Sequence, residues 1–350
     1  MDREDIELLL TTATRWFGAN QPLETRVAAF RAGHHEAPGA WAQLAGMGWL
    51  GLTLPETAGG FGATHAAAFE LIRAAGRDAR PEPLELHLVL APLLAAVSAS
   101  HSEALIAGDM RIALADRTLG NDAVRFEHAN TLSGVAGVLL GAAHATHWLI
   151  PVAQGDSLRL WLVEATAQGV TRRDARLVDS RVTTQLRFDA TPAQALEGAD
   201  LAKRALDRAA AALVADSAGV LDAAFWLTLD YLKQRHQFGK PLAAQQAVQH
   251  KMAEVFCDLQ QLLALAGRVA AELDTHPNGP WPTLAPAKAF VGRRALRAAG
   301  QLIQVCGGIA VTEEFKLTHF YRRLHVAAAL FGSAEAQLAR IDVRAQLLAA

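Results

Sequence analysis

The stretch Arg235-His-Gln-Phe-Gly-Lys-Pro241 concentrates more usable chemistry than any other part of this sequence. It puts a fixed cation, an amide, an aromatic ring and a glycine at one turn. Arg supplies charge and paired N–H donors, and Gly lets the backbone come close to a ligand, so the stretch suits a phosphate-bearing molecule. The plain alternative is a helix C-terminus with a basic residue near the negative end of the dipole. His34, His35 and Glu36 are adjacent in a Gly/Pro-rich stretch with no spaced ligand set, so no metal site is expected. Gly60 and Gly62 lack both the spacing and the βαβ context of a dinucleotide fingerprint.

The Arg235 turn is positioned by an apolar-periodic run. Leu206, Leu213, Val220 and Leu227 repeat every seven residues, with Val214 and Leu221 beside them, and Pro241 bars continuation of the helix. A second helix follows, with Val248, Met252, Val255, Leu259, Leu262 and Val269 on one stripe. A third is expected over 284–305, stopping at Gly307-Gly308. A fourth region over 313–348 is expected to break near Phe331-Gly332-Ser333. Together these predict a C-terminal four-helix bundle over 199–350.

Residues 1–110 read as an N-terminal α-helical domain, interrupted by the Pro- and Gly-rich loop at 53–62. From 111 to 198 the period changes. The segments starting at Arg111, Ala123, His147, Leu158 and Thr184 alternate as short strands, predicting a small middle antiparallel β domain, barrel or sandwich. The fold class is therefore multi-domain α+β. With 350 residues, 51% hydrophobic and a net charge of −2, nothing draws the chain to nucleic acid or to a membrane. Cys257 and Cys306 suit a reducing cytoplasm, and the N-terminus has no signal-peptide pattern.

Three ordered tracts carry a resemblance that covers nearly the whole chain. They are Trp41-x-x-Leu44…Gly48-Trp49-x-Gly51…Pro55-Glu56…Gly59-Gly60-x-Gly62, then Arg235-x-Gln237-Phe238-Gly239, then Gln304-Val-Cys-Gly307-Gly308…Thr312-x-Glu314…Tyr321-Arg322. The sequence resembles the acyl-CoA dehydrogenase family. That implies FAD as cofactor, an acyl-CoA thioester as substrate, and removal of an α proton and a β hydride. It also implies that Arg235, Gln237, Phe238, Gln304, Gly307 and Gly308 reach the FAD of a neighbouring subunit.

The resemblance fails where the chemistry should be. The family's glutamate base, in a Tyr-Glu-Gly-Thr tract, aligns with Phe331 in Leu330-Phe331-Gly332-Ser333. The other base position used in the family aligns near Ala209. Asp207, Asp216 and Glu335 lie nearby and read as solvated or capping carboxylates, so no catalytic residue is assigned. The family's Thr-Glu-Pro segment is not found in Ala113-Leu-Ala-Asp-Arg117, and its Trp-Ile-Thr segment aligns with Val138-Leu139-Leu140. Partner-directed motifs are kept and flavin-ring motifs are lost. The expectation is a subunit of a heteromeric acyl-CoA dehydrogenase, an α2β2 assembly acting on bulky substrates such as steroid side-chain CoA esters. A homo-oligomeric FAD enzyme of different chemistry and a non-catalytic acyl-CoA-binding or scaffold subunit remain open. Arg322 and Arg323 read as salt-bridge partners rather than CoA contacts, and Arg293, Arg294 and Arg297 as a solvated basic face.

Overall fold

A computed structural model describes residues 3–19, 22–32, 39–119, 124–127 and 130–349. His34, His35 and Glu36 lie outside these described residues. The first third holds α1 (Arg3–Ala19), α2 (Leu23–Arg31), α3 (Ala40–Gly46), α4 (His65–Arg77), α5 (Leu84–Val97) and α6 (Ser102–Ala107). Thr64 caps α4, its side chain accepting from the Ala67 N–H. In α5 even Glu85 and His87 are buried beside the leucines. His87 makes a 3.0 Å hydrogen bond through Nε2 to the Leu50 carbonyl, and burial pushes its pKa down to about 4.

The middle third is a sheet of β1 (Ile112–Asp116), β2 (Arg125–Glu127), β3 (Thr131–Leu140), β4 (His147–Gln154), β5 (Ser157–Glu164), β6 (Val170–Arg176), β7 (Val182–Pro192) and β8 (Gln194–Leu196). Its order is β6-β7-β3-β1-β4-β5-β8, with β2 on β3. The expected all-antiparallel domain is corrected here, because β1 and β4 pair in parallel and the sheet is mixed. The cause is the return path. After β3 the chain turns at 142–144, and the Thr146 and His147 N–H groups both donate to the Arg111 carbonyl. β4 therefore starts where β1 starts and runs alongside it. Trp148, Ile150, Trp161, Leu186 and Phe188 fill a separate small core on one face of this sheet.

The last third contains α7 (Leu201–Gln234), the two-residue strands β9 (His236–Gln237) and β10 (Lys240–Pro241), and α8 (Gln246–Thr275). Next come α9 (Leu284–Phe290), a π-helical turn at Val291–Ala295 and α10 (Leu296–Cys306), then α11 (Leu317–Ala329) and α12 (Ala334–Ala349). The long helices and the break near Phe331 are as the periodicity predicts. α7 has the length and apolarity of a membrane span, but 78% of its most apolar window is buried inside the protein, as in the central helix of a packed core. It touches α4, α5, α8, α10 and α11. It meets α4 backbone to backbone. A Cβ on Gly76 would lie 2.5 Å from the Asp216 carbonyl oxygen, and one on Gly219 would press into the carbonyl of Arg73.

A buried ionic network locks the three thirds together. Arg323 of α11 donates from Nε and Nη2 to the two carboxylate oxygens of Asp216 on α7, each at 2.9 Å. It also donates to the Arg80 carbonyl at 2.9 Å and approaches Glu85 at 3.5 Å. Arg181, at the start of β7, reaches Glu85 at 3.1 Å and Asp179 at 2.6 Å. Arg80 is paired with Glu82 at 2.9 Å, and Arg26 of α2 with Asp78 at 3.1 Å. Burial works against the charge on Arg323, but Asp216 and Glu85 outweigh it and hold the guanidinium above its ordinary pKa. Burial raises the Glu85 pKa, opposed by Arg323 and Arg181. Replacing Arg323 with Met leaves Asp216 desolvated without its partner. The expected loss is about 3–5 kcal/mol, read as a lowered urea midpoint. A midpoint within a few tenths of molar of the parent would refute the network's role.

Candidate functional site

The Arg235 stretch forms a hairpin at the C-terminal end of α7. Lys240 pairs with Gln237 and Pro241 with His236, leaving Phe238 and Gly239 as the two turn residues. Their φ values are +55° and +78°, the double left-handed geometry of a type I′ turn. Gly239 takes it freely, whereas a bulky phenylalanine there is unusual. The ring of Phe238 is 89% exposed, and Arg235 and Gln237 are exposed with it. The hairpin is tied down by the Arg235 N–H to the Tyr231 carbonyl and the Leu242 N–H to the Arg235 carbonyl, both 2.8 Å. None of its three side chains is spent on the chain's own core.

Gln304, Gly307 and Gly308 close α10 and are likewise exposed. Gly307 has φ +74° and ψ −151°, a conformation open essentially only to glycine, so the chain leaves α10 sharply there. The Tyr231 and Phe315 rings stand 5.3 Å apart, linking the last turn of α7 to the segment that follows Gly308. Cys306 is buried near Thr228, and burial pushes its thiol up to about 11. The two tracts thus occupy one end of the bundle. Exposed apolar side chains accompany them, Ile309 and Val311 beside Gly308 and Trp226 on α7.

The turn between α11 and α12 is built in the opposite way. Phe331 is 4% exposed with φ +52°, and the backbone polar groups of Phe331 and Gly332 are all used. Its N–H donates to Asp116 Oδ2 at 2.7 Å, and its carbonyl accepts from Gln337 Nε2 at 3.0 Å. The Gly332 N–H donates to Thr118 Oγ1 at 3.0 Å. Lys288 of α9 is fully buried and donates to the carbonyls of Ala328 at 3.2 Å and Gly332 at 2.9 Å. Asp116 Oδ1 accepts from the Thr118 N–H and hydroxyl at 2.7 and 2.6 Å. Burial raises the Asp116 pKa, opposed by these donors and by the Lys288 charge. Burial lowers Lys288 to about 8, opposed by Asp116. Leu139 and Leu140, in the segment aligned with Trp-Ile-Thr, are buried as well. Asp116, Thr118, Lys288 and Gln337 were not singled out from sequence. The only local signal was a lone lysine among alanines at 287–289.

The alternative carboxylates are occupied. Asp207 pairs with Arg340 at 2.9 Å, Asp216 is bound by Arg323, and Glu335 is exposed and 3.6 Å from Arg293. Ala209 is fully buried. Arg322 pairs with Glu313 at 3.3 Å. Arg294, on the π-helical turn, is not simply solvated, because it donates to the buried Asp258 at 2.6 and 3.1 Å. Among the described residues no cluster of His, Cys, Asp and Glu suits a metal ion.

A helical layer, a small mixed sheet and a long-helix bundle, with an exposed Arg–Gln–Phe–Gly hairpin at one end, define an acyl-CoA dehydrogenase type of architecture. Family models agree: residues 4–100 match the acyl-CoA dehydrogenase N-terminal domain and residues 197–346 its C-terminal domain. Acyl-CoA dehydrogenase IpdE2 of Mycobacterium tuberculosis is 31% identical over 300 residues, 85% of this chain and 83% of IpdE2. Acyl-CoA dehydrogenase FadE34 of the same organism is 30% identical over 87% of this chain, but the chain spans only 42% of FadE34. The Tcur3481–Tcur3483 steroid ACAD superposes with a TM-score of 0.91 at 27% identity, covering 99% of each chain. The ChsE4–ChsE5 complex of Mycobacterium tuberculosis gives 0.91 at 20% identity over 99% of this chain and 98% of that one, a likeness of fold. This chain belongs to the acyl-CoA dehydrogenase family.

The Lys288 clasp has a pH signature. Its folded pKa of about 8 lies below the ordinary 10.5, so the unfolded chain binds more protons between these values. Stability should therefore rise with pH across roughly 8 to 10.5, by up to about 3 kcal/mol from this group. Thermal melts of the parent and Lys288→Met across that range check it. The expected result is a rise in the difference between parent and variant, and a flat difference would refute it.

Proposed function

We propose that this chain is the base-less subunit of a heteromeric FAD-dependent acyl-CoA dehydrogenase. A homologous chain would supply the general base and the cradle for the flavin ring, in an α2β2 assembly in the cytoplasm. FAD, when bound, accepts the hydride from the β carbon of the acyl thioester. The observation that carries the reading is the contrast between two tracts. Arg235, Gln237, Phe238, Gln304, Gly307 and Gly308 are all exposed, with donors and an aromatic face free to meet a diphosphate and an adenine. Phe331, Asp116 and Leu139 are buried, with the backbone groups around Phe331 consumed internally. The first tract fits an FAD held across a subunit boundary. The second fits a flavin ring poorly, because the N–H groups of Phe331 and Gly332 already donate to Asp116 and Thr118.

Arg235 would place its guanidinium on the diphosphate as a charge-assisted donor, and Phe238 would cover an apolar face of the cofactor. Phe331 cannot take the α proton. Asp116, the carboxylate that touches its turn, is committed to three donors. Substrates with a steroid side chain are favoured by the similarity to a steroid ACAD.

The test is purification of the chain alone and with a co-expressed family partner, counting FAD per chain and turnover of a steroid-side-chain CoA ester. Flavin and activity are expected only in the mixed assembly, at one FAD per pair of chains. Full activity of the lone chain would show a homo-oligomeric enzyme instead. In the assembly, Arg235→Ala should weaken FAD binding by about 1.5–3 kcal/mol. Unchanged affinity would favour the scaffold reading.

A further inference from the structure

The Arg235 hairpin and the exposed end of α10 lie far apart in sequence, yet one molecule that touches both needs them at a fixed separation. Each is a short surface piece. The hairpin has two residues in each strand, and so small a hairpin is marginal unless something holds it. After Gly308 the chain folds back on itself, where the Ile309 carbonyl accepts from the Thr312 N–H at 3.1 Å and from its hydroxyl at 2.9 Å. The Phe315 carbonyl then accepts from the Thr318 N–H at 3.2 Å, at the entry to α11. Tyr231 links the two pieces. Its carbonyl accepts the Arg235 N–H at 2.8 Å, the bond that ends α7 and begins the hairpin. Its ring meets Phe315 with the centroids 5.3 Å apart and the planes at 56°, inside the range of favourable aromatic pairs.

We propose that Tyr231 is a positioning residue, whose ring, braced on Phe315, holds the Arg235 hairpin and the Gln304–Gly308 tract at the spacing that one FAD must span. This assignment rests on reading those tracts as cofactor contacts, and it adds the part that aligns them. Tyr231 acts through its neighbours and not by touching the cofactor. An aromatic ring suits the task, because with two side-chain torsions it holds a position at low entropic cost. Core packing alone explains the pair less well. Leu232 and Leu317, the apolar neighbours of the two stretches, are fully buried and close the core beneath, whereas Tyr231 and Phe315 are half-buried at its margin.

The test is the FAD dissociation constant of the assembly formed with a co-expressed family partner, beside amide exchange in the chain alone. Tyr231→Ala and Phe315→Ala should each weaken FAD binding roughly two- to twelvefold, an aromatic pair's contact energy expressed as an affinity ratio. Tyr231→Phe keeps the ring and should bind as the parent does. The double alanine variant should bind no more weakly than the weaker single one, because both changes remove the same contact. In the lone chain, Phe315→Ala should speed exchange of the Arg235 and Leu242 amides by a similar factor, with Tm within about 2 °C of the parent. Tyr231→Leu keeps apolar bulk against the core and replaces any alanine variant that does not fold, with the same expected loss. Parent-like affinity in folded Tyr231→Ala, beside a loss in Arg235→Ala, overturns the brace and leaves the cofactor reading standing. An assembly without FAD, or parent-like affinity in both variants, overturns the two together. Hairpin amides that exchange in Phe315→Ala as they do in the parent also overturn the brace.

Discussion

Arg323 is the point on which the three parts of the chain converge. Its guanidinium is bonded to Asp216 on α7 and to the Arg80 carbonyl ahead of α5, and it shares Glu85 with Arg181 just ahead of β7. An arginine suits this place because its planar fork meets a carboxylate with two parallel bonds and still has a third direction to offer. Buried charges in such a network add little net stability over a well-packed apolar core, but each is costly to leave alone. The network therefore acts as a constraint on arrangement. The helical layer, the sheet and the bundle must sit in one relation for every charge to find its partner.

That fixed frame makes the contrast between the two motif-bearing ends meaningful. At the end of α7 and α10, side chains that resemble a family's cofactor contacts are spent on nothing within the chain. At the α11–α12 turn the reverse holds, where a lysine, an aspartate, a threonine and a glutamine from three separate segments close on Phe331 and Gly332. Two phenylalanines, Phe238 and Phe331, both adopt left-handed backbone conformations. One displays its ring to solvent and the other buries it. A bulky residue at positive φ is held there by its surroundings, and the surroundings here are a two-residue hairpin and a buried clasp.

Much of this was legible beforehand. Heptad-spaced leucines and valines marked α7, and Gly307-Gly308 and Phe331-Gly332 marked the ends of later helices, because helix period and helix stop are local properties. β3 was missed because Gly134 and Gly137 and two register shifts interrupt its alternation. β6 was missed because Thr171 to Arg176 are all exposed and nothing in the run looks half-buried. The parallel pairing of β1 with β4 depends on where a later turn brings the chain back, which no strand's own residues encode. The motif residues at 235–238 and 304–308 could be named from sequence, since they are contiguous. The clasp could not, because Asp116 and Phe331 are 215 positions apart and Asp116 had been noticed only as part of a segment lacking the expected motif.

The close passage of α4 against α7 through Gly76 and Gly219 bears on how such a chain can change over time. Where two backbones touch, no side chain mediates the contact, so it cannot be retuned by gradual drift in side-chain size. Any side chain larger than hydrogen at Gly76 or Gly219 would force the two helices apart, so the backbones themselves set the distance between α4 and α7.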